Sequence, residues 1–311
     1  MADATIPVDL FNPGQVFACL GFMEAADILL GDAEGGFDWS EIGQDRFRLR
    51  AAGSENPVEA VLAFLAASTL REAVPEGWTS PDTKARRGPA PDSETETKTE
   101  RSADVPDRTA VTTFATGTAD AMSLPVVFGG GNRPRVTLDH WTDGSSRNPF
   151  KLYSGNRSAF GIASAMLAGK HAKNGKLESK GLRQLFEDDR AALVRAPFHV
   201  LTPMGGSFNF DPRGAWTGLD AGYSPNDQDH DVLASPVVEF LAAWGLEHAR
   251  PDEYQTRKVR YAVWRPLLPP ALARAVIGGA QGIAQTRGFG FGLAMSGKNK
   301  VVCFAQEEPS T

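Results

Sequence analysis

The sequence predicts a mixed α+β fold, and three observations carry that expectation. Asn-Pro and Ser-Pro pairs open apolar runs of helical length at Asn12-Pro13, Asn56-Pro57, Asn148-Pro149 and Ser235-Pro236. Short segments of alternating apolar and polar residues lie between them, at 47–49 and 259–264. A stretch rich in Pro, Ser, Thr, Asp, Glu and Lys, residues 74–108, separates two regions that both carry apolar patterning. The predicted organisation is an N-terminal β-α-β-α unit over 1–73, a disordered or extended insertion over 74–108, and a larger mixed region over 109–311 that contacts nucleic acid and ends in a β-hairpin.

Each element has a local reason. Residues 6–11 form a short strand that stops at Asn12. Asn is a preferred helix N-cap and Pro is tolerated at the first helical position, so a helix covers Pro13–Leu30. Its apolar residues surround the axis, which implies deep burial. Arg46, Arg48 and Arg50 alternate with Phe47 and Leu49 in a strand. Asn56-Pro57 repeats the capping device and opens a helix over 58–70. The 74–108 stretch holds five prolines and one aromatic residue, Trp78. Such a composition buries too little apolar surface to offset the entropy of ordering.

Strands at 124–128 and 135–138 flank the turn Gly129-Gly130-Gly131-Asn132. Asn148-Pro149 precedes a helix over 153–168, and a Gly-bounded loop over 169–175 leads to a helix over 182–193. Ser235-Pro236 caps a helix over 237–248. A strand at 259–264, a helix at 270–278 and a hairpin of 290–295 with 301–304 around Ser296-Gly297-Lys298-Asn299 close the chain.

Charge singles out one region. Residues 132–183 carry ten Lys/Arg against three acids, a local net of +7 in a chain whose net charge is −6. Trp141, Phe150, Tyr153 and Phe160 are interleaved with these cations. Cations release counterions from a phosphate backbone, and flat side chains stack on bases. The candidate nucleic-acid contacts are therefore Asn132, Arg133, Arg135, Arg147, Asn148, Lys151, Asn156, Arg157, Lys170, His171, Lys173, Asn174, Lys176, Lys180 and Arg183. The asparagines are candidate readers of base edges, although caps and turns use the same residue type.

Other chemistry finds little support. Gly292–Lys298 has the G-x-x-x-x-G-K spacing of a phosphate loop, but Asn299 stands where Ser or Thr should reach magnesium, and a strand follows where a helix is needed. Asp227, Asp229 and Asp231 have calcium-loop spacing, but Val232 and Val238 occupy the positions that require Gly and Glu. No G-x-S-x-G occurs, and no spaced Cys/His set suggests zinc. No catalytic residue, metal or cofactor is expected, and the chain is read as a non-enzyme. Cys19 and Cys303 lie in apolar runs, as free thiols of a reducing compartment do. The N-terminus lacks a signal-peptide pattern and no segment is expected to reach the length of a membrane span, so a cytoplasmic protein without membrane association is expected. Arg287-Gly288-Phe289-Gly290-Phe291-Gly292 reads either as a Gly-rich RNA-binding loop or as part of a tight hairpin.

Several blocks carry a resemblance. Asn12-Pro13-Gly14-Gln15-Val16-Phe17-Ala18-Cys19-Leu20-Gly21 and Ala33-Glu34-Gly35-Gly36-Phe37 resemble the N-terminus of a CRISPR-associated protein family from subtype I-G (earlier I-U) effector operons. Ser207-Phe208-Asn209-Phe210-Asp211-Pro212-Arg213-Gly214-Ala215-Trp216, continuing through Tyr223-Ser224, and Pro236-Val237-Val238-Glu239-Phe240 resemble its middle. Tyr261-Ala262-Val263-Trp264 before Pro266-Leu267-Leu268-Pro269-Pro270 is also similar. The resemblance implies a non-catalytic, large-subunit-like component of Cascade, the RNA-guided surveillance complex. Its partners would be the guide CRISPR RNA, target double-stranded DNA, the other Cascade subunits and the helicase-nuclease recruited on target binding. Its implied work is recognition of the protospacer-adjacent motif and support of the R-loop. Arg213 and Trp216, in the family-like block, join the candidate contacts. The alternative is a guide-RNA-binding subunit or RNA-processing protein with a ferredoxin-like fold and a Gly-rich loop.

Overall fold

The computed structural model of the 311-residue chain describes residues 1–76, 78, 108–111, 122–142, 150–154, 157–214 and 232–309. Its first part runs β1 (Ala2–Pro7), α1 (Pro13–Leu30), β2 (Glu34–Asp38), β3 (Arg46–Ala51) and α2 (Pro57–Ala67). Four strands follow: β4 (Leu70–Pro75), β5 (Arg108–Val111), β6 (Val126–Gly129) and β7 (Arg135–Leu138). Next come α3 (Ala159–Ala168), β8 (Lys170–His171), β9 (Leu177–Ser179), α4 (Leu182–Asp188), α5 (Arg190–Arg195), β10 (Thr202–Pro203) and β11 (Leu233–Ala234). The last part holds α6 (Pro236–His248), β12 (Asp252–Gln255), β13 (Lys258–Arg265), α7 (Pro270–Ile277), β14 (Gln285–Ser296), β15 (Asn299–Val302) and β16 (Gln306–Glu307). The architecture is the mixed α and β one that the sequence predicts.

The caps work as their residue types require. The Asn12 side chain accepts from Gln15 N, Asn56 accepts from Val58 N and Glu59 N, and Ser235 accepts from Val238 N. α1 is buried on every side from Pro13 to Ala26. It has the length and apolarity of a membrane span, contrary to the sequence expectation, and the rest of the chain covers it. Its main partner is α6, and the two meet backbone to backbone. A Cβ on Gly21 would lie 2.0 Å from Leu241 O, and one on Gly245 would lie 2.3 Å from Phe17 O. Glycine on both helices is what allows this approach.

Three sheets surround the helix pair. β1-β3-β2 is antiparallel and turns Ile6, Phe47, Leu49 and Ala51 inward while Arg46 and Arg48 face out. β12-β13-β14-β15, with β16 on β14, contributes Val259, Tyr261, Val263, Phe289, Phe291 and Leu293 to the core. β5-β4-β6-β7 contains one parallel pair, β4 with β5. A single hydrophobic cluster extends from Ile6 to Ala305, so the first 73 residues and those after 122 share one core.

Differences from the sequence expectations have local causes. β2 occupies the Gly35-Gly36 segment, for which no strand is expected; Gly35 exchanges two backbone hydrogen bonds with Leu268, both 2.9 Å, which support it from outside its own sheet. The helix expected over 58–70 ends at Ala67, because Ser68 turns its hydroxyl back onto Phe64 O and leaves the chain extended into β4. The helix expected from 153 starts at Ala159, where the Ser158 side chain accepts from Gly161 N. The run 182–193 is two helices, because Asp189 leaves helical geometry and its side chain accepts from Ala192 N, capping the second. Most of the 74–108 stretch and the Asp227–Asp231 spacing lie outside the described residues.

Candidate nucleic-acid interface

The period-2 register of β4, β6 and β7 sorts their side chains onto two faces. Leu70 pairs with Phe128, Glu72 with Val126, Val126 with Leu138, and Phe128 with Val136; this face is buried except at half-buried Leu70. The opposite face presents Arg71 across from Val127, Val127 across from Thr137, and Gly129 across from Arg135. Gly129 leaves a gap in this row, and the chain turns there through Gly130 and Gly131. All three glycines have positive φ, at 80°, 101° and 69°. The result is a cleft of about 170 Å³ lined by Arg71, Arg133 and Arg135, with Thr69, the Gly129–131 backbone and nearly buried Val127 completing it. Among the described residues no acidic side chain lines it. Among the described residues, Arg133 and Arg135 have no ion-pair partner.

A basic hairpin is anchored beside this cleft. β8 and β9 pair antiparallel, and the turn between them is set by Ala172 N donating to Lys176 O and Lys176 N donating to Asn174 Oδ1. The segment expected as a free loop is therefore a short hairpin. Its base is pinched, since a Cβ on Gly181 would lie 2.3 Å from Gly169 N. Just past that base, Arg183 Nε donates to Ala66 O and Nη2 to Ser68 O, at 2.9 and 3.0 Å. Ser68 and the neighbouring Ala67 line the cleft. Arg183 thus caps the last carbonyls of α2 and ties the hairpin to the cleft rim. Lys173, Lys176 and His171 are exposed on the hairpin without an ion pair among the described residues.

Several predicted contacts do other work. Lys170 pairs with Glu178 at 2.5 Å and Lys180 with Asp188 at 2.7 Å, which neutralises both cations locally. Lys151 bonds the Ser123 hydroxyl and lies over the Tyr153 ring, and Arg157 donates to Gly205 O. The Asn174 side chain holds the hairpin turn, and Asn132 is exposed in the Gly-rich turn. Trp141, Phe150 and Tyr153 are buried in the core and are not stacking platforms; Phe160 packs half-buried against it. An apolar ring close to cations in sequence is drawn into the core whenever the core has room for it. Arg147, Asn148, Asn156 and Trp216 lie outside the described residues.

Arg213 belongs to a buried polar knot rather than to a surface. Its guanidinium grips both oxygens of Asp211, which is fully buried, and donates to Phe198 O. Asp211 also accepts from Asn12 Nδ2 and Ser235 N, joining the N-terminal ends of α1 and α6. Next to it, Glu239 accepts from Phe210 N and Asp211 N. Burial pushes the Glu239 carboxyl up to about 7, with the Asp211 charge acting in the same direction against those donors. A second carboxylate, Glu247, accepts from the backbone N–H of Asp139 and His140 and meets His140 Nδ1 at 3.2 Å. Burial pushes the Asp139 carboxyl up, and the Glu247 charge adds to the effect. The Asp211–Glu239 constellation is buried, the one around Glu247 is half-buried, and both pin loops to α6.

The phosphate-loop spacing at Gly292–Lys298 is the end of β14 and its turn into β15, as the strand pattern indicates. The Gly-rich Arg287–Gly292 segment runs along β14, not in a loop, and Arg287 pairs there with Glu307. Among the described residues no group of three or more His, Cys, Asp or Glu side chains is placed to share a metal ion. The sequence reading missed Arg71 and Thr69, because β4 falls where the polar stretch begins; the pairing of Arg71 with Val127 becomes visible only in the sheet. No family model, no curated protein and no solved structure matches the chain.

Proposed function

We propose that the chain is a non-catalytic, nucleic-acid-contacting subunit of an RNA-guided CRISPR surveillance complex. The observation that carries its nucleic-acid part is the basic surface at the C-terminal end of α2. There the Arg71, Arg133 and Arg135 cleft and the Lys173–Lys176 hairpin are joined by Arg183, on a chain that is acidic overall. Such a surface meets phosphates and leaves sequence reading to guide pairing. The assignment to Cascade rests on the resemblance of the Asn12–Gly21, Ser207–Trp216 and Tyr261–Pro270 blocks. In that setting the partners are guide RNA, target duplex, sibling subunits and the recruited helicase-nuclease, in a cytoplasmic ribonucleoprotein.

Affinity purification of the tagged chain from its own host tests this. Recovery of guide RNA with sibling CRISPR subunits supports the reading. Recovery of the chain alone, or with RNA but no sibling subunit, overturns it.

A further inference from the structure

We propose that Arg183 is a positioning residue for the nucleic-acid interface: it holds the β8–β9 hairpin where Lys173 and Lys176 meet phosphates, and makes no phosphate contact of its own. The inference rests on the proposed function for its ligand; the positioning stands on the geometry. In sequence, Arg183 is the last of ten cations in a basic stretch. In the fold it lies half-buried, with Nε donating to Ala66 O at 2.9 Å and Nη2 to Ser68 O at 3.0 Å. Those donors form one of the flat edges with which a guanidinium grips a phosphate, and that edge is taken.

The end of α2 explains why. Its last turn carries no basic residue, although a helix C-terminus leaves carbonyls unpaired and favours a cation. Ser68 answers two of these carbonyls, its hydroxyl donating to Phe64 O and its N–H to Leu65 O. Arg183 answers Ala66 O from 117 residues further along the chain. The next residue, Gln184, ties the same turn of α4 to the hairpin base. It accepts from Gly181 N and donates to Ala168 O, each at 2.9 Å. The first turn of α4 is thus a node with α2 on one side and the hairpin on the other. The hairpin needs this node. β8 and β9 share two paired positions, and so small a two-stranded hairpin has little stability by itself. Lys173 and Lys176 are exposed at its turn, so their placement follows the base.

The test measures binding of the full-length chain to a mixed-sequence DNA duplex across a salt series. The parent, Arg183→Ala, Lys173→Ala/Lys176→Ala and the triple variant are compared. A residue that touches one phosphate lowers the magnitude of the salt slope by about 0.9 when removed, and adds to other contacts. A positioning residue behaves otherwise. Arg183→Ala should lower the slope by about 1.8, as the lysine pair does, and the triple variant should go no further. Arg183→Lys keeps the charge without the two-donor edge, so its slope should fall between those of the parent and Arg183→Ala. A loss of about 0.9 that adds to the lysine pair makes Arg183 a contact and overturns the proposal, as does a parental slope in either Arg183 variant. Hydrogen exchange without DNA gives an independent reading. In Arg183→Ala the amides of residues 170–180 should exchange about tenfold or more faster, while those of α1 and α6 keep the parental rate. If all speed up together, the alanine variant has lost its fold and Arg183→Lys carries both measurements. A parent that binds no duplex removes the nucleic-acid part of the proposed function. The exchange rates then decide alone, and a hairpin that keeps the parental rate in Arg183→Ala sinks the positioning role.

Discussion

Arg135 stands directly across the β6–β7 pair from Gly129, so a guanidinium faces the one position in that row without a side chain. Gly129 has φ +80°, and a Cβ there would lie 2.1 Å from Pro134 O. Gly129→Ala should therefore strain the turn as well as narrow the cleft. We expect a loss of about 1–3 kcal/mol in urea unfolding, the range for overpacking at a site that cannot relax. Unchanged stability would show that the turn adapts and that the cleft is softer than its geometry implies.

Arg213→Ala should behave as a folding variant, not as a binding variant. The substitution leaves the Asp211 carboxylate fully buried with its charge partner gone. Breaking one side of a buried pair costs about 3–5 kcal/mol. A large drop in urea midpoint is expected. A variant of parental stability that only loses nucleic-acid affinity would return Arg213 to the contact surface.

The exposed hairpin gives the opposite signature. Lys173→Ala/Lys176→Ala removes two side chains that no carboxylate holds among the described residues, so stability should stay within about 0.5 kcal/mol of the parent. On duplex DNA each lost phosphate contact lowers the magnitude of the salt slope by about 0.9, and the double variant should lose nearly two. Lys170 and Lys180 already neutralise Glu178 and Asp188, so replacing them should change the slope less. Equal slopes for parent and Lys173/Lys176 variant would remove the hairpin from the interface.

Glu239 sets a pH dependence whose sign is opposite to that of a paired surface carboxylate. Its folded pKa is raised to about 7, above the ordinary value of 4.5, so the folded state holds the proton longer than the unfolded chain does. Stability from this group is full below about 4.5 and falls as pH rises toward 7. Glu239→Gln should remove that fall. The difference in unfolding free energy between parent and variant, measured from pH 4.5 to 7.5, should change by up to about 3 kcal/mol. A pH-independent difference would mean that Glu239 ionises normally in the fold.

The elements that carry their own instructions were legible in the sequence. Asn12-Pro13, Asn56-Pro57 and Ser235-Pro236 encode helix starts through side chains two or three residues from the amides they cap, and all three stand where the pattern puts them. β7 and the β14–β15 hairpin follow from alternation over a few residues. The site was less legible because its parts come from distant positions. Arg71 reaches the cleft only through the antiparallel register of β4 with β6. Arg183 reads as one more cation of a basic stretch, yet its donors are spent on Ala66 and Ser68 carbonyls. Trp141, Phe150 and Tyr153 show the limit most plainly, since nearness to lysines in sequence says nothing about which way a ring points.

The glycine contact between α1 and α6 also governs the order in which the chain can close. Gly21 leaves the ribosome roughly 220 residues before Gly245, so α1 must wait through most of synthesis for the surface that covers it. During that interval an apolar helix buried on every side in the finished fold has no permanent cover. Transiently exposed surface of this kind is what chaperones bind and what aggregation feeds on. Any chain shortened before Ser235 keeps that vulnerable helix and lacks its partner, so the N-terminal 73 residues carry strong helix signals yet depend on the far end of the sequence to become a stable structure.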